Sequence, residues 1–216
     1  MYQTDRNDEC LICFKKKYQS ADLLEFFLLD DLICQDCRAN FIKHKKTIYQ
    51  NGLTIEFLYD YNEFFSQQLI QYKELYDEAL APIFIHPHIR YLKKKYRDRI
   101  LVSVPSRQEK KEVRGFDHVS KMFKELNFTS AELFINTAQQ DQKKSSYQKR
   151  LEVHQFIKRN DVVLPSKSKI LLIDDLFTTG ASIESCYKLI KDEYESIKAL
   201  AIAHQPLKKR GNDNEG

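Results

Sequence analysis

The chain has 216 residues, of which 42% are apolar and 31% charged, with a net charge of +4, five glycines, five prolines and five cysteines. This suits one full α/β domain with a small appended module and excludes long disordered linkers and any fibrous repeat. No run of about eighteen apolar residues is present to span a membrane, and Met1–Arg6 lacks the basic start and apolar core of a signal peptide, so a reducing, cytoplasmic location is expected.

The first signal in chain order is Cys10-Leu-Ile-Cys13 followed by Cys34-Gln-Asp-Cys37, two C-x-x-C pairs with twenty residues between them. That spacing fits a four-cysteine zinc ribbon in which each pair forms one knuckle. Disulfides or buried free thiols are the competing readings, and a reducing location favours metal. The apolar residues Leu23 to Leu29 offer a small hairpin over the metal. A segment this short builds little core alone, so zinc would supply much of its folding energy and would be structural.

The chain then alternates in the βα manner. A strand is expected over 54–61, one or two helices from 63 to about 84, and a helix with Ile89, Leu92, Tyr96 and Ile100 on its apolar face. Arg90, Lys93, Lys94 and Arg97 share the opposite face of that helix. They form a candidate contact for single-stranded DNA, with Tyr91 and Tyr96 available to stack on bases if exposed; a solvated helix face is the plainer alternative. Strands over 99–105 and 131–136, with a helix over 116–126 between them, come next. A strand over 170–174, a helix over 182–194 and a strand over 198–203 complete the pattern. The fold class is therefore α/β, a mainly parallel sheet with helices on both faces, preceded by the cysteine module. Boundaries are placed at 1–46 for the module, 47–206 for the α/β domain and 207–216 for a flexible charged tail.

The most informative segment is Ile170-Leu-Leu-Ile-Asp-Asp-Leu-Phe-Thr-Thr-Gly-Ala-Ser182. Its apolar run reads as a buried parallel strand ending at the acidic pair, and the turn after it opens a helix. Unpaired amides and the positive end of the dipole make such a turn an anion site. Thr178, Thr179 and Ser182 add hydroxyl donors, and Gly180 lets a phosphate approach the backbone. Asp174 and Asp175 cannot hold the same phosphate, but they suit the hydroxyls of a sugar behind it or a magnesium ion held through its waters.

This stretch resembles the phosphoribosyl pyrophosphate motif of type I phosphoribosyltransferases. The resemblance implies ribose contacts for Asp174 and Asp175, 5-phosphate contacts for Thr178, Thr179, Gly180, Ala181 and Ser182, and magnesium accompanying phosphoribosyl pyrophosphate or a related ligand. Val102-Ser-Val-Pro-Ser106-Arg107 lies where that family keeps its pyrophosphate loop, and Arg107 offers a planar fork for a diphosphate. Arg114, preceded by Lys110 and Lys111, opens the next helix and adds a further cation. With the cysteine pairs, Pro105 and the Arg114-Gly-Phe triplet, the chain resembles the ComF family of competence proteins along nearly its whole length. That resemblance implies a zinc ribbon ahead of a phosphoribosyltransferase-like domain and a role in uptake of single-stranded DNA beside a ComFA-like helicase. The chain departs from the family at Asp117 and His118, where asparagine and glutamine are usual.

Three functions follow: a competence protein that uses the pocket and basic surfaces to handle DNA, an active transferase on a nitrogen acceptor, or a scaffold with a vestigial pocket. No hood segment for an acceptor base stands out. His86-Pro-His88 reads as a loop, His204 lies at a strand end near the sugar or serves the fold, and Cys186 is a core thiol.

Overall fold

The computed structural model describes residues 9–17, 31–44, 46–106, 108–136 and 156–206. Its elements are α1 (Gln35–Ala39), β1 (Ile48–Gln50), β2 (Leu53–Asp60), α2 (Glu63–Glu74), α3 (Ile89–Tyr96), β3 (Arg99–Ser103), α4 (Gln108–Arg114), α5 (His118–Met122), β4 (Phe134–Asn136), β5 (Phe156–Lys158), β6 (Lys169–Phe177), α6 (Ala181–Ile190) and β7 (Ser196–His204). Short 3-10 turns cover Glu78–Phe84, His86–His88 and Lys124–Leu126.

Five strands form one sheet in the order β1-β2-β7-β6-β3, parallel throughout except for the edge strand β1. Successive residues of a strand face opposite sides of a sheet, and β6 shows the division clearly. Leu171 and Ile173 join a cluster with Phe65, Leu69 and Tyr72 of α2 and Leu92 of α3. Ile170 and Leu172 face the other way, onto Ile183, Cys186 and Ile190 of α6. Both faces are thus covered by helices, as a parallel sheet requires.

Caps set two helix starts. Asn62 accepts from the Phe65 amide at 2.7 Å to open α2, and Asp117 accepts from the Ser120 amide at 2.8 Å to open α5, each cap contributing about 1 kcal/mol. Asp117 therefore has a structural task that its departure from the family pattern did not reveal.

Several expectations are corrected. The one or two helices expected from 63 to about 84 are α2, ending at Glu74, and then a 3-10 turn that carries Pro82. The helix over 116–126 is the short α5 followed by a 3-10 turn, and α6 ends at Ile190 rather than 194. The strand over 131–136 is confined to β4, which pairs antiparallel with β5 in a separate ribbon. His86–His88 is a 3-10 turn, not an open loop.

The cysteine module is not an isolated appendage. Cys10, Ile33, Cys37 and Phe41 are buried in the same apolar cluster as Tyr59, Phe65 and Phe84. Arg38 ties it further: its guanidinium donates to both carboxylate oxygens of Asp31, at 2.8 and 2.7 Å, and to the Ile83 carbonyl at 3.1 Å. The hairpin expected over 23–29 and the tail 207–216 lie outside the described residues.

Candidate functional site

The strand carrying the acidic pair does not end there. β6 continues to Phe177, with Leu176 opposite Ala203 and Phe177 opposite His204 on β7. On its other edge the ladder with β3 stops at Ser103 opposite Ile173. Among the described residues, β6 is therefore paired on one side only from Asp174 onward. The opposite edge opens into a hollow of about 440 Å³ lined by Asp174, Asp175, Ser106, Lys73, His118 and Ser182, with Pro105, Lys110, Arg114, Asn136 and Phe156 around it. This crevice lies at the carboxyl ends of the strands, where ligands of open parallel sheets gather.

Adjacent on one strand, the two carboxylates meet different surroundings. Asp175 turns toward α2 and α5 and is only 6% exposed. Its Oδ2 accepts from Lys73 Nζ at 2.5 Å and lies 3.4 Å from His118 Nε2. Arg114, also buried, sits behind: its Nη1 lies 3.0 Å from His118 Nδ1, and its Nε donates to the Lys73 carbonyl at 2.9 Å. A guanidinium only donates, so His118 Nδ1 accepts, and the ring proton resides on Nε2, aimed at Asp175. The Tyr72 hydroxyl fixes the same segment by donating to the His118 carbonyl at 2.7 Å.

These contacts separate the acidities of the pair. Burial acts to raise Asp175, but the charge of Lys73 and the His118 hydrogen bond outweigh it and hold the carboxyl well below the usual range. Asp174 is pushed well above that range, first by burial and then by the negative charge of Asp175. The pair is thus split in acidity, with Asp174 raised and Asp175 lowered and already engaged by Lys73 and His118.

The turn after β6 leads directly into α6. Gly180 is left-handed at φ 79° and precedes α6, while Thr178, Thr179 and Ala181 are exposed. Thr179 Oγ1 accepts from the Ala181 amide at 3.3 Å, a bond that an incoming anion would replace. Ser106 sits across the hollow with its buried hydroxyl unpartnered. The structure therefore brings Asp174, Asp175, Ser182, Ser106 and Arg114 to one hollow, with the Thr178–Ala181 turn on the same strand–helix junction. Arg107 lies outside the described residues.

Sequence reasoning missed Lys73 and left His118 open. Lys73 stands one helical turn after the buried Leu69, so a lysine at a core-facing position was the available signal. Nothing in the sequence announced a partner 102 residues away.

The four cysteines also converge. Their Sγ atoms all lie within 4.8 Å of one another, with Cys13 and Cys34 3.7 Å apart. Tetrahedral zinc with bonds of about 2.3 Å would set its sulfurs about 3.8 Å apart, so the cluster fits such an ion. Despite burial, amides of Cys13, Cys34 and Ile12 pull Cys10 down to about 7. Burial pushes Cys34 and Cys37 up; neighbouring sulfurs push Cys37 further, whereas hydrogen bonds from Cys37 partly offset the rise at Cys34.

The basic face of α3 is present: Arg90, Lys93, Lys94 and Arg97 are exposed. The stacking role expected for Tyr96 is corrected, because Tyr96 is 2% exposed and its hydroxyl donates to Glu56. Tyr91 and Lys95 also bond Glu56, at 2.5 and 2.6 Å.

Sheet order and helix placement define the class: an α/β domain with a mainly parallel sheet behind a four-cysteine cluster suited to a zinc ribbon. Its curated relatives are ComFC competence proteins. The chain is 29% identical to Competence protein ComFC of Streptococcus pneumoniae (strain ATCC BAA-255 / R6) across 74% of its own length and 69% of that protein. It is 28% identical to Competence protein ComFC of Bacillus subtilis (strain 168), across 90% of the chain and 92% of the relative. No protein-family model matches the chain. Among solved structures it is similar to an adenine phosphoribosyltransferase, with a TM-score of 0.42 and 13% identity over 79% of this chain and 88% of that one. A hypoxanthine phosphoribosyltransferase from Staphylococcus aureus gives 0.36 and 12%, over 60% and 74%. Among the described residues no helix is long and apolar enough to cross a membrane.

Proposed function

We propose that the chain is a cytoplasmic competence protein, required for natural transformation, that handles incoming single-stranded DNA with a ComFA-like helicase through a phosphoribosyl-pyrophosphate-type pocket. One observation carries the reading: the opened edge of β6 places a split-acidity carboxyl pair beside a hollow, just ahead of the left-handed Gly180 turn that leads into α6. The similarity to ComFC competence proteins supports the biological role.

In this reading the 5-phosphate sits against the amides and hydroxyls of Thr178, Thr179, Gly180, Ala181 and Ser182. Asp174 and Asp175, the latter held by Lys73 and His118, meet the two ribose hydroxyls. Ser106, Arg107 and Arg114 serve the diphosphate end, where the unpartnered Ser106 hydroxyl gains an acceptor. Magnesium bound with the ligand would screen the diphosphate charge. Cys10, Cys13, Cys34 and Cys37 hold a structural zinc. Arg90, Lys93, Lys94 and Arg97 attract the DNA backbone.

Calorimetry with phosphoribosyl pyrophosphate and magnesium tests the pocket. Binding should be strong in the wild type and lost in an Asp174→Ala, Asp175→Ala double variant whose circular dichroism shows it folded. Equal affinity in both proteins refutes the assignment.

A further inference from the structure

We propose that His44, Asp60 and His204 form a second metal site, distinct from the cysteine cluster, that takes a borderline divalent transition-metal ion such as zinc through two imidazoles and one carboxylate. One donor atom from each residue lies within 4.8 Å of the other two. Three protein ligands at this separation, with nitrogen and oxygen donors and no thiolate, suit such an ion and leave coordination open for water or a ligand.

The backbone holds all three residues in place. Asp60 ends β2 and His204 ends β7, and the two are register partners. His44 comes from a segment antiparallel to β2: its amide donates to the Leu58 carbonyl at 3.0 Å, and the Asp60 amide donates to the Ile42 carbonyl at 2.8 Å. The rings are held as well. His204 stacks on Phe57 with centroids 4.8 Å apart at 27°, and His44 stands edge-on to the same ring at 5.0 Å. The two imidazoles are 5.1 Å apart. Little reorganisation would be needed to receive an ion.

His44 supplies the independent observation. Its Nδ1 is hydrogen-bonded to Asp60, but its Nε2 is buried with no hydrogen-bond partner. Among the described residues, the contact with Asp60 accounts for the first nitrogen and leaves the second unsatisfied, and a metal ion held with Asp60 and His204 would satisfy it. The Asp60 side chain is 46% exposed, which gives an ion a way in. His204 also packs against Phe177, the ring beneath Gly180, so the ion would be mechanically linked to the turn after β6.

The test uses the full-length chain without an affinity tag. Native mass spectrometry with added zinc should count two ions per chain, falling to one in His204→Gln, which keeps the cysteine-bound ion. Cadmium-113 NMR at saturation should show two resonances, one in the thiolate range and one in the nitrogen–oxygen range, and the second should vanish in His204→Gln. Should that variant unfold, Asp60→Asn takes its place. A wild-type spectrum with the thiolate resonance alone, or two ions retained in both variants, overturns the site.

Discussion

A Cβ built on Gly180 would meet the ring of Phe177 at 2.5 Å, a separation real side chains do not tolerate. The same residue has φ of 79°, which penalises any side chain. Glycine is therefore required twice, by backbone conformation and by the ring at the end of β6. Gly180→Ala should cost at least about 1–3 kcal/mol in urea unfolding and should weaken anion binding by displacing the turn. A variant with wild-type stability would show that the Phe177 ring moves aside freely.

Opposite consequences are expected for the two aspartates. Asp175 has a depressed acidity in the folded chain, so its contribution is present above the unfolded value of about 3.9 and is lost as pH falls toward the folded one. Removing its charge strands Lys73, and Asp175→Asn should cost about 3 kcal/mol above pH 4. Asp174 is raised, so its contribution is present below about pH 3.9 and lost as pH rises through the folded value. Asp174→Asn should consequently stabilise the protein by about 1 kcal/mol at neutral pH while impairing ligand binding, and should change little at pH 3. Thermal melts across pH 3 to 8 distinguish the pair; the same direction for both variants at neutral pH contradicts the assignment.

Because Cys10 and Cys37 lie in the cluster that holds Phe65 and Phe84, loss of zinc should reach the whole α/β body. A strong chelator, or Cys34→Ser, should lower the melting temperature of the single main transition and remove one zinc per chain in native mass spectrometry. A separate low-temperature transition with the main one unmoved would mean the module folds by itself.

Neutralising Lys93, Lys94 and Arg97 to glutamine should weaken oligonucleotide binding. If all three meet phosphates, the slope of log affinity against log salt should fall by about 2, at about 0.7 per contact for single strands. Lys95 belongs in the control, since it is engaged by Glu56. An unchanged slope would place the DNA path elsewhere.

What was legible in the sequence was local. The apolar run, acidic pair, threonines and glycine of 170–182 are contiguous, and the strand–turn–helix can be read from that order. The extension of β6 past Asp175 was not, because pairing of Leu176 and Phe177 depends on β7, with which they share no local signal. The brief strands β1 and β5 were missed for a like reason: three residues carry no periodicity, and only their partners make them strands. Lys73 became meaningful only when the fold brought α2 to β6, and the contact of Arg114 with His118 likewise depended on tertiary packing. The C-x-x-C pairs were read correctly as a cluster, but their burial in the main apolar cluster depended on Ile33 and Phe41, which carry no metal signature.

The early end of β3 has an engineering consequence. Since Ser103 is its last residue in register with β6, two further extended residues inserted there would zip onto the edge at Asp174 and Asp175 and seal the crevice with backbone. Access in this fold is thus governed by the length of a neighbouring strand, so trimming or lengthening that strand offers a way to resize the cleft without touching a single acidic or hydroxyl group.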